Sequence, residues 1–224
     1  TRKRTASKRK YGSKKKVKVI KALGSKQMLS RPLSNVMPVS FHYSERIALN
    51  SGVLGAAATH IFRLSSVHDP DFTAVGHQPV GYDQLSPIFE RYQVYKVDFQ
   101  FVFANRSSTD NQRVGYRVSD TSTTDTDPNV NIENGNCEWD LIGTLNSQPK
   151  KFTGSIYIND VHGVTYKQYM ANDDYGATFG GNPVEEAFIA IWADGLGDDT
   201  DPIDVGVHLV YHTKLMGNKI TALS

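Results

Sequence analysis

Apolar and polar residues alternate with a period of two after Pro32, and this pattern constrains the fold more than any other feature. It is clearest at 93–104, where every second residue from Val97 to Phe103 is apolar and the residue before each is mostly polar. Successive side chains of a β-strand point to opposite faces. The alternation therefore predicts strands with one buried face and one exposed face.

Eight segments show this alternation or are rich in β-branched and aromatic residues. The segment 186–194 is almost continuously apolar, so we expect it to be buried on both faces. Short and long connections alternate between the segments, as is typical of an all-β, eight-stranded antiparallel double-sheet jelly roll. The predicted strands are 36–49, 56–66, 93–104, 113–119, 138–144, 151–158, 186–194 and 203–216.

The three long connections, 67–92, 120–137 and 159–185, are expected to lie at one end of the sandwich and over its outer surface. They are candidates for receptor contact. Four apolar residues at helical spacing predict one short helix within the first connection. These residues are Leu85, Ile88, Phe89 and Tyr92.

Charge divides the chain near residue 31. Residues 1–31 hold 13 of the 25 Lys and Arg and no Asp or Glu, so the rest holds 25 − 13 = 12 basic residues and all 23 acids. The N-terminal part therefore carries +13 and the remainder −11. Like charges repel, and few apolar residues offset the entropy of ordering, so we expect disorder unless a polyanion is bound. The predicted domains are a basic N-terminal arm, 1–34, and a jelly-roll domain, 35–224.

Nucleic acid is the polyanion that best fits this arm. Lys and Arg neutralise phosphates with little dependence on sequence, and Tyr11 alone offers a ring for base stacking within 1–31. A solvated tail without a dedicated partner is the alternative. The predicted nucleic-acid-binding residues are Arg2, Lys3, Arg4, Lys8, Arg9, Lys10, Lys14, Lys15, Lys16, Lys18, Lys21, Lys26 and Arg31.

Two basic clusters in the arm also match a nuclear-import signal. An import receptor would bind the free arm, and nucleic acid would cover it later, so the two roles are compatible. Membrane-surface binding is disfavoured because the arm lacks an aromatic face. The residues of the signal are Lys8, Arg9, Lys10, Lys14, Lys15, Lys16 and Lys18.

A specific run of motifs lies at 68–97: Asp-Pro-Asp, then Gly-His-Gln-Pro, then an aromatic-Asp-Gln, then a tyrosine-rich stretch. This run resembles the segment after the second strand in capsid proteins of circular, Rep-encoding single-stranded DNA viruses, the circovirus-like group. The rest of the chain agrees with that group in architecture, although its arm is richer in Lys than in Arg. The motif residues, expected in a loop or interface, are Asp69, Pro70, Asp71, Gly76, His77, Gln78, Pro79, Tyr82, Asp83 and Gln84.

The resemblance implies a capsid protein that assembles into an icosahedral shell of sixty subunits around single-stranded DNA. It implies a virion protein that enters the host nucleus during assembly. The implied partners are further copies of the chain, the genome, a host nuclear-import receptor and a cell-surface receptor of unknown identity. A coat protein of a small single-stranded RNA or satellite virus and a cellular nucleic-acid-binding module remain alternatives. No run of eighteen apolar residues occurs, so membrane insertion is not expected.

Catalysis is not expected, and neither is a metal or another cofactor. His68, Asp69, Asp71 and His77 are close in sequence, but their spacing differs from the two-His, one-carboxylate triad of jelly-roll oxygenases. We expect Asp69-Pro70-Asp71 to shape a turn, and His77 and Gln78 to hydrogen-bond loop backbone or a neighbouring subunit. The chain lacks a nucleophile motif and a phosphate-binding loop. A single cysteine, Cys137, excludes an internal disulfide and cysteine-based zinc sites.

Five acids lie between Asp194 and Asp204. Their spacing is not that of an EF-hand, so we expect a solvated acidic turn. Cation binding remains an alternative where copies of this turn meet at a symmetry axis. Trp139 and Trp192 are predicted core or interface anchors.

Overall fold

The computed structural model describes residues 34–50, 55–197 and 202–219. The chain divides into two units, Thr1–Pro32 and Leu33–Ser224, and all described residues belong to the second. The predicted arm, 1–34, lies outside the described residues except for Ser34. The nucleic-acid-binding and nuclear-import predictions therefore stay predictions.

The strands found in the described ranges are β1 (Val36–Leu49), β2 (Ala58–Arg63), β3 (Phe89–Asn105), β4 (Gln112–Ser119), β5 (Cys137–Ile142), β6 (Lys150–Tyr157), β7 (Ala177–Thr178), β8 (Phe188–Gly195) and β9 (Ile203–Asn218). They form two antiparallel sheets. The first has the order β1-β9-β3-β6, with β7 beside β3, and the second has the order β2-β8-β4-β5.

The strand pairing is that of a double-sheet jelly roll. The pairs β1–β9, β2–β8, β3–β6 and β4–β5 are all antiparallel, so the chain forms a long hairpin that wraps into two facing sheets. This wrapping of eight long strands is the topology of two Greek keys. The predicted fold class is confirmed, and the two-residue β7 is an addition to it.

The connections follow this topology. At one end of the sandwich, Leu145 N donates to Ser107 O and Leu196 N to Asn111 O, so short connections contact each other. The long connections contain the helices α1 (Tyr82–Leu85), α2 (Pro128–Glu133), α3 (Ile158–Val161) and α4 (Tyr166–Ala171), and a 3-10 turn at Asp173–Tyr175. Among the described residues, no helix is both long and apolar enough to span a membrane.

The helix predicted from Leu85 to Tyr92 is wrong in extent. The helix α1 ends at Leu85, and Phe89 and Tyr92 belong to β3. Residues three apart in a strand point to opposite faces, and both of these side chains are fully buried. Helix α4 covers one face here, where Gln93 Nε2 donates to Tyr169 O at 2.8 Å. Because both faces are covered, the apolar residues lose their alternation and mimic a helix.

The core lies between the two sheets and is rich in aromatic side chains. In β3, Val97, Phe99, Phe101 and Phe103 face inward, as predicted. Phe99 packs edge-on against Tyr116 of the facing sheet, with ring centroids 4.8 Å apart. The prediction for β8 is also confirmed, since every residue of that strand is buried.

Gly115 of β4 has no room for a side chain. A Cβ atom there would lie 2.5 Å from Glu138 O and within 3 Å of atoms of Trp139 and Trp192. We expect Gly115→Ala to lower the free energy of unfolding by about 1–3 kcal/mol, because β4 and β5 must separate. Urea denaturation of the dissociated chain measures it. Gly206→Ala is the matched control, since its nearest neighbour would be 4.0 Å away; equal losses in both variants would contradict this packing argument.

Candidate functional site

The motif segment lies in the connection between β2 and β3 and folds against β2. Arg63 N donates to Pro70 O at 2.8 Å, and Phe72 N donates to Ile61 O at 3.1 Å. A β-bridge joins Phe62 to Asp71. Because β2 is an edge strand of its sheet, the motif segment covers part of an edge that would otherwise expose unpaired backbone groups.

Arg63 is the central contact of this segment, and its side chain is only 11% exposed. Its Nε donates to Glu186 Oε1 at 3.0 Å. One terminal nitrogen donates to the carboxylate and carbonyl of Asp69 and to the carbonyl of Asp71. The guanidinium lies 4.7 Å from the ring centroid of Phe72. Burial raises the pKa of Glu186, and the charge of Arg63 only partly opposes this rise.

Asp71 is fully buried and begins the turn of the motif. Its Oδ1 accepts hydrogen bonds from the backbone and the hydroxyl of Thr73, both at 2.8 Å, and lies 3.0 Å from His60 Nε2. The turn covers residues 71–74. The prediction of a turn at Asp69–Asp71 is therefore wrong in position, because the carbonyl of Pro70 is held in antiparallel pairing with β2.

His77 stacks on Tyr43 of β1, with ring centroids 4.7 Å apart and an interplanar angle of 22°. The hydroxyl of Tyr43 donates to Glu45, and burial together with this carboxylate raises the pKa of Tyr43. Gly76 is required next to this stack, since a Cβ there would lie 2.5 Å from the Tyr43 hydroxyl. The described contact of His77 is thus ring stacking, and the predicted hydrogen bond to a neighbouring subunit stays a prediction.

His68 joins the second half of the motif to the first. Its Nδ1 lies 3.1 Å from Gln78 Nε2 and 3.2 Å from the hydroxyl of Tyr82. The Tyr82 hydroxyl also accepts from the backbone N–H of Gly180, which belongs to another long connection. Gln78 therefore bonds a side chain of its own loop and not the loop backbone, and its predicted contact with a neighbouring subunit stays a prediction. The motif as a whole fixes one loop against another.

The same end of the domain displays apolar side chains outward. Val75 and Val80 are 80% and 87% exposed, and Val184 is 78% exposed. The remaining motif residues fit this organisation, since Pro79 is buried while Asp83 and Gln84 are exposed. An internally bonded loop that exposes apolar tips suits contact with another protein surface better than it suits chemistry on a substrate.

A second exposed apolar group lies on the edge strand β5 and the connection after it. Trp139, Leu141 and Leu145 are 43%, 54% and 56% exposed. Trp139 and Leu141 are two residues apart and share the outer face of β5. The two predicted tryptophan anchors thus differ, because Trp192 is buried within the domain while Trp139 is available to a partner.

The described residues contain no group of three or more His, Cys, Asp or Glu side chains that could hold a metal ion. The residues that are close in sequence have separate partners: His68 bonds Gln78, whereas Asp69 bonds Arg63. Burial raises the pKa of the Cys137 thiol, which disfavours the reactive thiolate. Of the acidic segment, Asp194 pairs with Arg113, and residues 198–201 lie outside the described residues.

No protein-family model and no curated protein matches the sequence. Solved structures that resemble this chain include structures of viruses and of viral capsid proteins. The structure of Desmodium yellow mottle tymovirus is 13% identical with a TM-score of 0.43, over 100% of this chain and 99% of that chain. The 60-mer BFDV capsid protein is 9% identical with a TM-score of 0.44, over 86% and 100%. The semi-empty virus-like particle of Macrobrachium rosenbergii nodavirus is 11% identical with a TM-score of 0.47, over 84% and 97%.

Proposed function

We propose that this chain is a viral capsid protein that assembles into a shell and packages nucleic acid through its N-terminal arm. One observation carries the proposal: a segment with a net charge of +13 and no acids is joined to a jelly-roll domain with a net charge of −11. A basic segment neutralises phosphates, and the acidic domain limits indiscriminate binding of nucleic acid elsewhere on the subunit. The role is structural, without catalysis or cofactor.

The proposed cargo is single-stranded DNA, and the support for it is the motif run at 68–97. The proposed shell has sixty subunits. Sixty arms supply 60 × 13, or roughly 780, positive charges, about one for each neutralised phosphate. That number offsets a substantial part of a small genome, and small cations would neutralise the rest.

The same arm is proposed to direct the chain to the host nucleus before assembly. The basic clusters at 8–10 and 14–18 support this step, because each consists almost wholly of Lys or Arg and is free of acids. Nucleic acid that covers the arm would end the interaction with the import receptor. The exposed apolar residues of the long connections and of β5 are the proposed contacts between copies, since obligate interfaces resemble a divided core.

Nuclease treatment of purified, opened particles tests the cargo. We expect DNase to digest the nucleic acid extracted from the particles and RNase to leave it intact. RNase-sensitive, DNase-resistant cargo would instead favour a coat protein of an RNA virus. Particles without nucleic acid at physiological salt would contradict packaging altogether.

A further inference from the structure

The first sheet has an outer face that points away from the core, and this face is basic. It is formed by β1, β9, β6 and the part of β3 after the bulge between Val94 and Lys96, together with Arg106 directly after β3. It carries five basic residues and two acids, a net charge of 5 − 2 = +3, whereas the chain after residue 31 carries −11. We refer to it as the outer basic face. Its charged residues are Arg46, Lys96, Arg106, Lys151, Lys214, Asp98 and Asp204.

Both acids of this face are already neutralised by its own residues. Asp98 accepts from Lys96 and His212, each at 2.7 Å, and from Ser155. Burial alone would raise the pKa of Asp98, but these hydrogen bonds outweigh burial and hold the pKa at about 2. The second acid, Asp204, accepts from Arg46 and from Arg106. Neither carboxylate is therefore left to repel an anion.

Several cations of the face remain available to a ligand. The side chain of Arg46 is 68% exposed and that of Arg106 is 45% exposed, although each donates to Asp204. Lys151 is exposed on β6. A guanidinium has five N–H donors, so one carboxylate contact leaves donors for phosphate oxygens.

Planar rings lie among these cations. His42 stacks on His208 of the neighbouring strand, with ring centroids 5.7 Å apart. Tyr157 and Tyr166, 49% and 44% exposed, lie near Lys96 and Lys214, respectively. Cations that alternate with exposed rings are typical of surfaces that bind single-stranded nucleic acid, where phosphates are neutralised and bases stack.

We propose that the outer basic face binds the phosphate backbone of packaged single-stranded nucleic acid, as a second contact beyond the arm. Arg46, Arg106 and Lys151 bind phosphates, and the His42–His208 pair stacks with bases. The inference rests on the proposed packaging function. Charge complementarity favours a polyanion over the same face of a second copy, because the two copies carry the same excess of positive charge on this face. The chain order agrees, since only residues 32–35 separate the arm's last cation from β1 at the edge of this sheet.

The salt dependence of binding tests the proposal in the full-length chain, kept dilute enough to remain unassembled. The probe is a fluorescent thirty-nucleotide oligothymidylate. Each phosphate contact on a single strand contributes about 0.7 to the slope of log affinity against log salt. We expect Arg46→Gln with Lys151→Gln to reduce the slope by about 1.4, since two contacts are lost. Both side chains are exposed, so the fold should persist.

The matched control is Lys150→Gln with Lys219→Gln, which removes the same charge outside the outer basic face and should keep the wild-type slope. Equal slopes in the two double variants would overturn the proposal. Loss of assembly in the Arg46 and Lys151 variant, with an unchanged slope, would also overturn it and assign the face to subunit contact. A full-length chain with its thirteen arm cations changed to Gln separates the role of the arm from that of the outer basic face. If this chain binds the oligonucleotide as tightly as wild type, the proposed role of the arm is wrong. The proposal for the outer basic face is decided by the salt slopes of the two double variants.

Discussion

Deletion of residues 1–31 is expected to abolish packaging of nucleic acid while the jelly-roll domain keeps its fold. The strands begin at Val36, so the deletion removes no strand. It removes 13 of the 25 basic residues and leaves a chain with a net charge of −11. With all thirteen contacts formed, the salt slope of binding would be about −9 on single strands. Without the arm, the outer basic face still has an excess of three positive charges on each subunit. These charges are too few to hold a genome in the particle at physiological salt.

The absorbance ratio at 260 and 280 nm and the mass of nuclease-protected nucleic acid measure this loss. Two full-length controls separate charge from chain length. Changing the nine Lys of the arm to Arg should preserve packaging, and changing all thirteen cations to Gln should match the deletion. Nuclear accumulation of a fluorescent fusion should fall in the deletion and in the Gln variant. Truncated particles that package normal amounts of nucleic acid would refute the role of the arm.

Replacement of Arg63 by Met is expected to lower the free energy of unfolding of the domain by about 3–5 kcal/mol. The side chain is 11% exposed and holds Glu186 and Asp69, whose side chains are 19% and 26% exposed. Met fills much of the volume but leaves two carboxylates without their cation. The motif segment should then separate from β2, and subunits should assemble poorly.

The loss should shrink as the pH falls. Burial raises the pKa of Glu186 in the folded chain, and removal of Arg63 raises it further. A carboxyl group with a raised folded pKa binds protons more readily when folded, so protonation stabilises the fold as pH decreases through that pKa. Denaturant titrations at pH 7 and at pH 4.5 measure the difference.

Arg91→Met is the control for this prediction. Arg91 pairs with Asp173, whose side chain is 85% exposed, so its loss should cost less than about 1 kcal/mol. If Arg63→Met lowered the free energy of unfolding no more than Arg91→Met does, the hydrogen bonds of Arg63 would not stabilise the domain.

The alternation of apolar and polar residues was enough to predict the strands that have one buried face and one exposed face. β1 begins and ends at the predicted residues, and the inward side chains of β3 follow the alternation from Val97. At Phe89 and Tyr92 the alternation is lost, because long connections cover both faces of β3. Alternation reports a difference between two environments, so a strand that is buried on both sides cannot be distinguished from a helix by spacing over a few residues.

The contacts of the motif segment were beyond sequence reasoning for another reason. Arg63 and Glu186 are far apart in the chain, and so are Tyr43 and His77, so no short spacing connects them. The resemblance located the segment, but its partners depend on the strand order. The outer basic face is a similar case, because Arg46, Lys96 and Lys151 come together only when β1, β9, β3 and β6 lie side by side.

The mass of the purified assembly tests the central claim most directly. A shell of sixty copies of this 24.9 kDa chain has a protein mass of about 1.5 MDa, to which packaged nucleic acid adds. Sedimentation velocity or native mass measurement at physiological salt should show this species. A stable monomer of about 25 kDa across the concentration range would contradict a shell-forming protein.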